Sequence, residues 1–339
     1  MARTIRSVNI NDTNGDLSPR RRLASWLKLL VRVVILALVA WGIWRTVDKA
    51  QGKFAESRFS LSDLNYYWLL LSGALYLLGT FPSCVFWYRT LLSMGQRPNW
   101  ASTVRAFYVG HLGKYVPGKA MVIVIRTGMI RCAAVDTTVA ATSIFIETLT
   151  MMAVGSMVSA ALLACLLRQH GTLAASSLVL MVAAGLPTFP PVFRRVVRLL
   201  RVHRASAAMD KALDGLNWRL VVFGWGIITI EWLMFGVSLW ATLRSVPNIH
   251  TSLADLPLLT ACVSLAMLAG FLSLVPGGLG VRELVVMQLI KPVYGEVAAL
   301  AVAVLLRLVW LASELVMAAI VTVALPGPES SQTAETPQA

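Results

Sequence analysis

The chain has 339 residues, 57% of them hydrophobic and only 14% charged, with a formal net charge of +14. So few charges exclude an ordinary soluble domain, in which roughly a quarter of residues are charged. Charge-free runs at 64–88, 169–193 and 256–281 are each long enough to cross ~30 Å of hydrocarbon as a helix, so the positive charge is read against a membrane and not against nucleic acid.

In chain order, residues 1–22 form a polar arm predicted to be disordered and cytoplasmic. The apolar run at about 26–44 follows Arg20-Arg21-Arg22. It is too long for a signal-peptide core and no small-residue cleavage site follows, so it is predicted to be a retained anchor. A second span, about 65–88, carries Pro82. Residues 100–131 are basic and amphipathic, with no acid between Arg89 and Arg131. They are predicted to enter and leave on the cytoplasmic side as a hairpin. Spans at about 137–167 and 172–193 follow, and then an arginine-rich stretch, 194–218, that suits an interfacial helix on anionic headgroups. A span at about 220–243, a segment at 253–294 and a last span at about 297–325 precede a disordered tail, 326–339.

The prediction is an all-α polytopic membrane protein with about six to eight transmembrane segments and one membrane domain, 23–325. With the N-terminus inside, 21 of the 30 basic residues fall in cytoplasmic segments. That bias sets the orientation and puts both termini in the cytoplasm of a plasma (inner) membrane protein.

Val-Pro-Gly occurs twice, as Val116-Pro117-Gly118 and Val275-Pro276-Gly277, the second extended by Gly278 and Gly280. Proline removes an amide donor and glycine admits positive φ, so each site breaks a helix. In lipid such breaks are tolerated only when buried or lining a cavity. Two of them, predicted to enter from opposite faces, point to an inverted repeat with a site at its interface. Residues 253–275 are also long enough to cross alone, which would make the second feature a broken helix pair.

Each break is followed at nearly equal distance by a charge deep in the next span: Glu147 lies 30 residues after Pro117, and Arg307 lies 31 after Pro276. Their opposite signs and the cost of a lone charge in hydrocarbon predict a Glu147–Arg307 pair; if these two lie apart, Glu147 is expected to face Arg126 or Lys119 instead. Glu231 and Glu314 are two further buried acids. They are expected either to meet the basic residues of the breaks or to stay protonated. Arg307 and Glu314 share a helix face but lie about two turns apart, too far to pair directly.

Other chemistry is excluded. Gly113 to Ala120 nearly spells a phosphate-binding loop, but Ala120 replaces the Ser/Thr that would hold a cation, and Pro117 removes a needed amide. Cys84, Cys132, Cys165 and Cys262 are scattered through mostly apolar runs with no metal spacing. No metal, cofactor or catalytic residue is expected. His111, beside the first break, is the only histidine placed near a candidate site.

Pro276-Gly-Gly-Leu-Gly-Val-Arg282-Glu283 is similar to the strongest motif of the flippase-like family named for the transmembrane domain of lysylphosphatidylglycerol synthases. Leu112-Gly-Lys-Tyr-Val-Pro-Gly118, followed by Arg126, resembles its earlier motif. Glu147 and Arg307 fall where that family carries an acid and a base, although Thr148 stands where an arginine would be expected. The resemblance covers about residues 24–325 and leaves too few residues after it for a soluble aminoacyl-transferase domain. It implies a non-enzymatic flippase-like domain that translocates a lipid or lipid-linked amphiphile. Lys114, Lys119, Arg126, Arg282 and Glu283 are the candidate headgroup contacts, aided by the helix N-termini after each break. Its partners would be membrane lipids with anionic headgroups. The alternative is a membrane subunit or catalytic domain of a lipid-linked transferase, for which Glu283 is the one suitable carboxylate.

Overall fold

The computed structural model describes residues 61–116, 120–132, 134–166, 178–179, 181–183, 185–199, 208–273 and 275–325. The expected first span at 26–44, the arm 1–22, the tail 326–339 and residues 172–177, 180 and 184 of the span at 172–193 lie outside them.

Long helices start where a polar side chain can cap the free amides of a first turn. Asn65 accepts from the amide of Tyr67 and opens α1, Tyr66–Ser93. Asn99 accepts from Ser102 and opens α2, Trp100–His111. After α3, Ala120–Ile130, the Asp136 carboxylate takes the amides of Thr138 and Val139 at the head of α4, Thr137–Leu166. Two short helices follow, α5, Pro190–Leu199, and α6, Ala208–Asp214. Arg194 of α5 donates to the carbonyls of Asp214 and Leu216 and ties the pair together. Asn217 caps α7, Trp218–Arg244, through the amide of Leu220. A reciprocal Ser252–Asp255 box leads into α8, Leu256–Leu272. Then come α9, Val281–Tyr294, and α10, Glu296–Ala324, turned at Gly295 with φ of 83°.

Among the described residues, five helical segments are long and apolar enough to cross a membrane: α1, α4, α7, Leu253–Leu272 and α10. The protein is therefore an all-α integral membrane protein. Residues 253–272 have the length and composition to cross alone, which favours the broken-pair form of the second feature.

Close packing in lipid needs small residues or hydrogen bonds between helices. α1 lies along α7, with Gly79 against Phe235 and Gly224 against Phe86. Ser72 bonds Ser238 at 2.9 Å and Thr242 at 2.8 Å, and Trp310 of α10 donates to Ser238 at 2.9 Å. α8 packs on α4, α7 and α9, and α9 turns back along α10. α2 and α3 fold on each other as a hairpin, and α10 also covers α2. The largest fully buried side chains, Trp87, Trp232, Tyr76 and Phe235 among them, sit between these helices. Leu78, Val222, Ile230, Val316 and Ile320 point outward, as expected where the surroundings are hydrocarbon.

Candidate functional site

Both Val-Pro-Gly segments interrupt helices, and the two interruptions meet. At the first, α2 tightens into a short 3-10 turn, Leu112–Tyr115, and Val116 is extended with φ −84° and ψ 134°. That is the conformation a following proline imposes. Pro117, Gly118 and Lys119 lie outside the described residues. Gly113 lets the arms close, because a Cβ there would sit 2.7 Å from the backbone nitrogen of Val122.

At the second break, Val275 is likewise extended, with φ −70° and ψ 135°. Gly277, Gly278 and Gly280 have φ of 58°, 65° and 80°, a region that costs an ordinary residue about 1–2 kcal/mol. This is why the motif needs glycine there. Gly277 lies against the Tyr115 ring: a Cβ at Gly277 would approach Tyr115 Cδ1 to 2.7 Å.

The intramembrane charges pair differently from the sequence expectation. Glu147 accepts from Arg126 at 2.8 Å, both side chains being at most 5% exposed. Arg307 donates to Glu283 at 2.6 Å and to the carbonyl of Gly277 at 3.3 Å. The expected Glu147–Arg307 pair is therefore corrected to two pairs. The physical reason is packing: each post-break helix lies against the span that follows it and neutralises that span's charge locally. Arg126 and Glu147 are 21 residues apart, and Glu283 and Arg307 are 24 apart. The sign is reversed between the halves. Arg126 also lies over the Phe107 ring at 4.3 Å and the Trp87 ring at 5.2 Å, and Gly110 leaves room for its stem.

Glu314 meets a basic residue of the first break. Lys114 donates to it at 2.5 Å, and Tyr76 donates to the same oxygen. Lys114 also contacts His111 Nε2 at 2.9 Å, and Tyr76 stacks on Trp310 at 4.2 Å. Glu231 has no cation beside it among the described residues. Its partner is the Ser83 hydroxyl.

A cavity of about 40 Å³, room for about one water molecule, lies among Lys114, Tyr115, Arg282, Glu283, Arg307 and Glu314. Beside it a pocket of about 420 Å³ is walled by Ile123 of α3, Ile144, Phe145 and Leu149 of α4, Phe271, and the Gly277-Gly278 backbone. Lys114 and Arg282 line both spaces. Of the candidate headgroup residues, Lys114, Arg282 and Glu283 thus come together. Arg126 lines neither space and is held by Glu147. Gly280 lies in the second turn with open space around it.

Sequence reasoning missed Tyr76, Tyr115, Trp310 and Ser83. Tyr115 sits inside the first motif and could have been singled out there. Tyr76 and Ser83 lie in a charge-free apolar run, where nothing separates them from ordinary core residues.

In comparisons with known proteins, residues 26–317 match the profile described as lysylphosphatidylglycerol synthase TM region. No curated protein matches the chain.

Proposed function

The chain belongs to the lysylphosphatidylglycerol synthase transmembrane-region family, and from that premise we propose that it moves an amphiphilic lipid between membrane leaflets without catalysing a covalent reaction. The observation that carries this reading is the contact of the two breaks around charged groups, Lys114 and Arg282, that border both a small cavity of mixed charged and apolar lining and a larger, mainly apolar pocket. In the larger pocket a headgroup would meet the two cations and an acyl chain the apolar wall. In the proposed topology the two breaks enter from opposite faces of the inner membrane and both termini are cytoplasmic, so motion of one break against the other would expose the site to each side in turn.

Arg126–Glu147 and Arg307–Glu283 would brace the two halves, while Lys114 and Arg282 face the lipid. The transferase alternative has less support, because Glu283, its candidate carboxylate, is bonded to Arg307. The test is leaflet exchange of a fluorescent lipid in vesicles holding the purified full chain. Exchange above that of empty vesicles is expected. Exchange at the empty-vesicle rate, with correctly inserted protein, overturns the reading.

A further inference from the structure

The charges around the small cavity do not cancel. Among the described lining, Lys114, Arg282 and Arg307 face two acids, Glu283 and Glu314. Lys114 is taken by Glu314 at 2.5 Å and Arg307 by Glu283 at 2.6 Å. Arg282 is left over: among the described residues its guanidinium meets no carboxylate or other acceptor, and its Nε is buried without a partner. Its side chain is also held in place, packed so tightly on Gly270 and Gly278 that a Cβ at either glycine would come within 2.6–2.7 Å of it.

The neighbouring pocket strengthens the point. Lys114 and Arg282 are the only charged residues in its described lining, and the rest is mainly apolar. Phe145 on α4, which lines that pocket, is half-exposed on the outer surface, and Val124 on the adjoining α3 is exposed as well. The pocket thus joins a fixed, uncompensated cation to the lipid-facing side of the bundle. A guanidinium removed from bulk water is costly until an anion meets it.

We propose that Arg282 is the counter-charge for a phosphodiester, and that the ligand is a lipid whose headgroup carries one net negative charge. This deepens the translocation reading and rests on it. A monoanionic headgroup, seated against Arg282 in the larger pocket, brings this group of charges to neutrality. A zwitterionic one leaves the surplus in place, and an aminoacylated, net-cationic one enlarges it. The planar fork of Arg282 suits two phosphodiester oxygens at once, and the apolar pocket beside it receives an acyl chain.

The test uses the full chain in detergent and three labelled probes: phosphatidylglycerol, phosphatidylethanolamine and lysylphosphatidylglycerol, of net charge minus one, zero and plus one. Phosphatidylglycerol is expected to bind about tenfold more tightly than the others, equivalent to about 1.4 kcal/mol. Arg282→Gln should reduce it to the level of phosphatidylethanolamine, and Arg282→Lys should retain much of the preference. Equal binding of the three lipids by the unaltered chain overturns the proposal, even if neither variant folds. So does an unchanged preference in a well-folded Arg282→Gln protein. Displacement by inorganic phosphate alone upholds the counter-charge and gives the anion's source as free phosphate; no displacement gives it as the lipid. Leaflet exchange of the same probes in vesicles separates the two readings. Selective binding without exchange overturns translocation and leaves the Arg282 assignment. Exchange of all three lipids at equal rates does the reverse.

Discussion

Tyr115 of the first break lies directly on Gly277 of the second, so close that a single added methyl group at Gly277 would meet the ring at 2.7 Å. The two interrupted helices therefore form one joint. A shift of either break would have to move or break this contact.

Gly277→Ala should damage this joint in two ways, through strain at φ 58° and through collision with Tyr115. Gly280 has φ of 80° with open space around it, so Gly280→Ala carries the strain alone, about 1–2 kcal/mol. Gly277→Ala is expected to lower thermal stability and lipid exchange more than Gly280→Ala does. Adding Tyr115→Ala should remove most of that difference. Equal effects of the two alanines, read by thermal unfolding in detergent, would show that the contact is not limiting.

The two buried pairs make a sharper prediction. Arg126→Gln strands Glu147 in a dry interior and should cost about 3–5 kcal/mol. The double variant with Glu147→Gln should recover a large part of that loss. A double-mutant cycle across Glu147 and Arg307 is expected to give little coupling, because each residue is bonded elsewhere. Strong coupling in that second cycle would contradict the observed pairing.

The long helices were legible in the sequence, because apolar runs and polar caps are local properties. Asn65, Asn99, Asp136 and Asn217 each mark a helix start. The breaks were legible too, since proline and glycine constrain the backbone wherever they occur. The preferred partner was not, although Arg126 was the expected second choice for Glu147. Equal offsets of 30 and 31 residues from the two prolines made Glu147 and Arg307 look like mates. Two residues at equal distances after two similar motifs can occupy equivalent positions without having to touch. Which residue faces which depends on the rotation of each helix about its axis. A uniformly apolar run carries almost no information about that rotation, and so Tyr76 and Ser83 went unnoticed.

Orientation is testable directly. With the positive-inside bias of 21 basic residues, a reporter fused at the C-terminus should read as cytoplasmic, and one placed in the 247–251 loop should read as external. A cytoplasmic signal from the loop reporter would undo the proposed opposite-facing breaks.

The last prediction contrasts two buried glutamates. Glu147 accepts from a guanidinium, so Glu147→Gln exchanges a charge-assisted bond for a weaker one and leaves Arg126 without its counter-charge. Glu231, by contrast, has the Ser83 hydroxyl as its one hydrogen-bond partner among the described residues. A glutamine carbonyl accepts from that hydroxyl as well as a carboxyl does, and no cation loses its counter-charge. Glu231→Gln should therefore change stability by no more than about 1 kcal/mol, whereas Glu231→Ala loses the bond and opens a cavity between α1 and α7, for about 2–5 kcal/mol. Thermal unfolding of the purified variants checks the ranking: Glu231→Gln mildest, with Glu147→Gln and Glu231→Ala both clearly worse. Should lipid exchange fall in Glu231→Gln while stability holds, the carboxyl itself is needed for function. Its ability to gain or lose a proton would then be the property to pursue, because the amide preserves its shape and its hydrogen bond but not its titration.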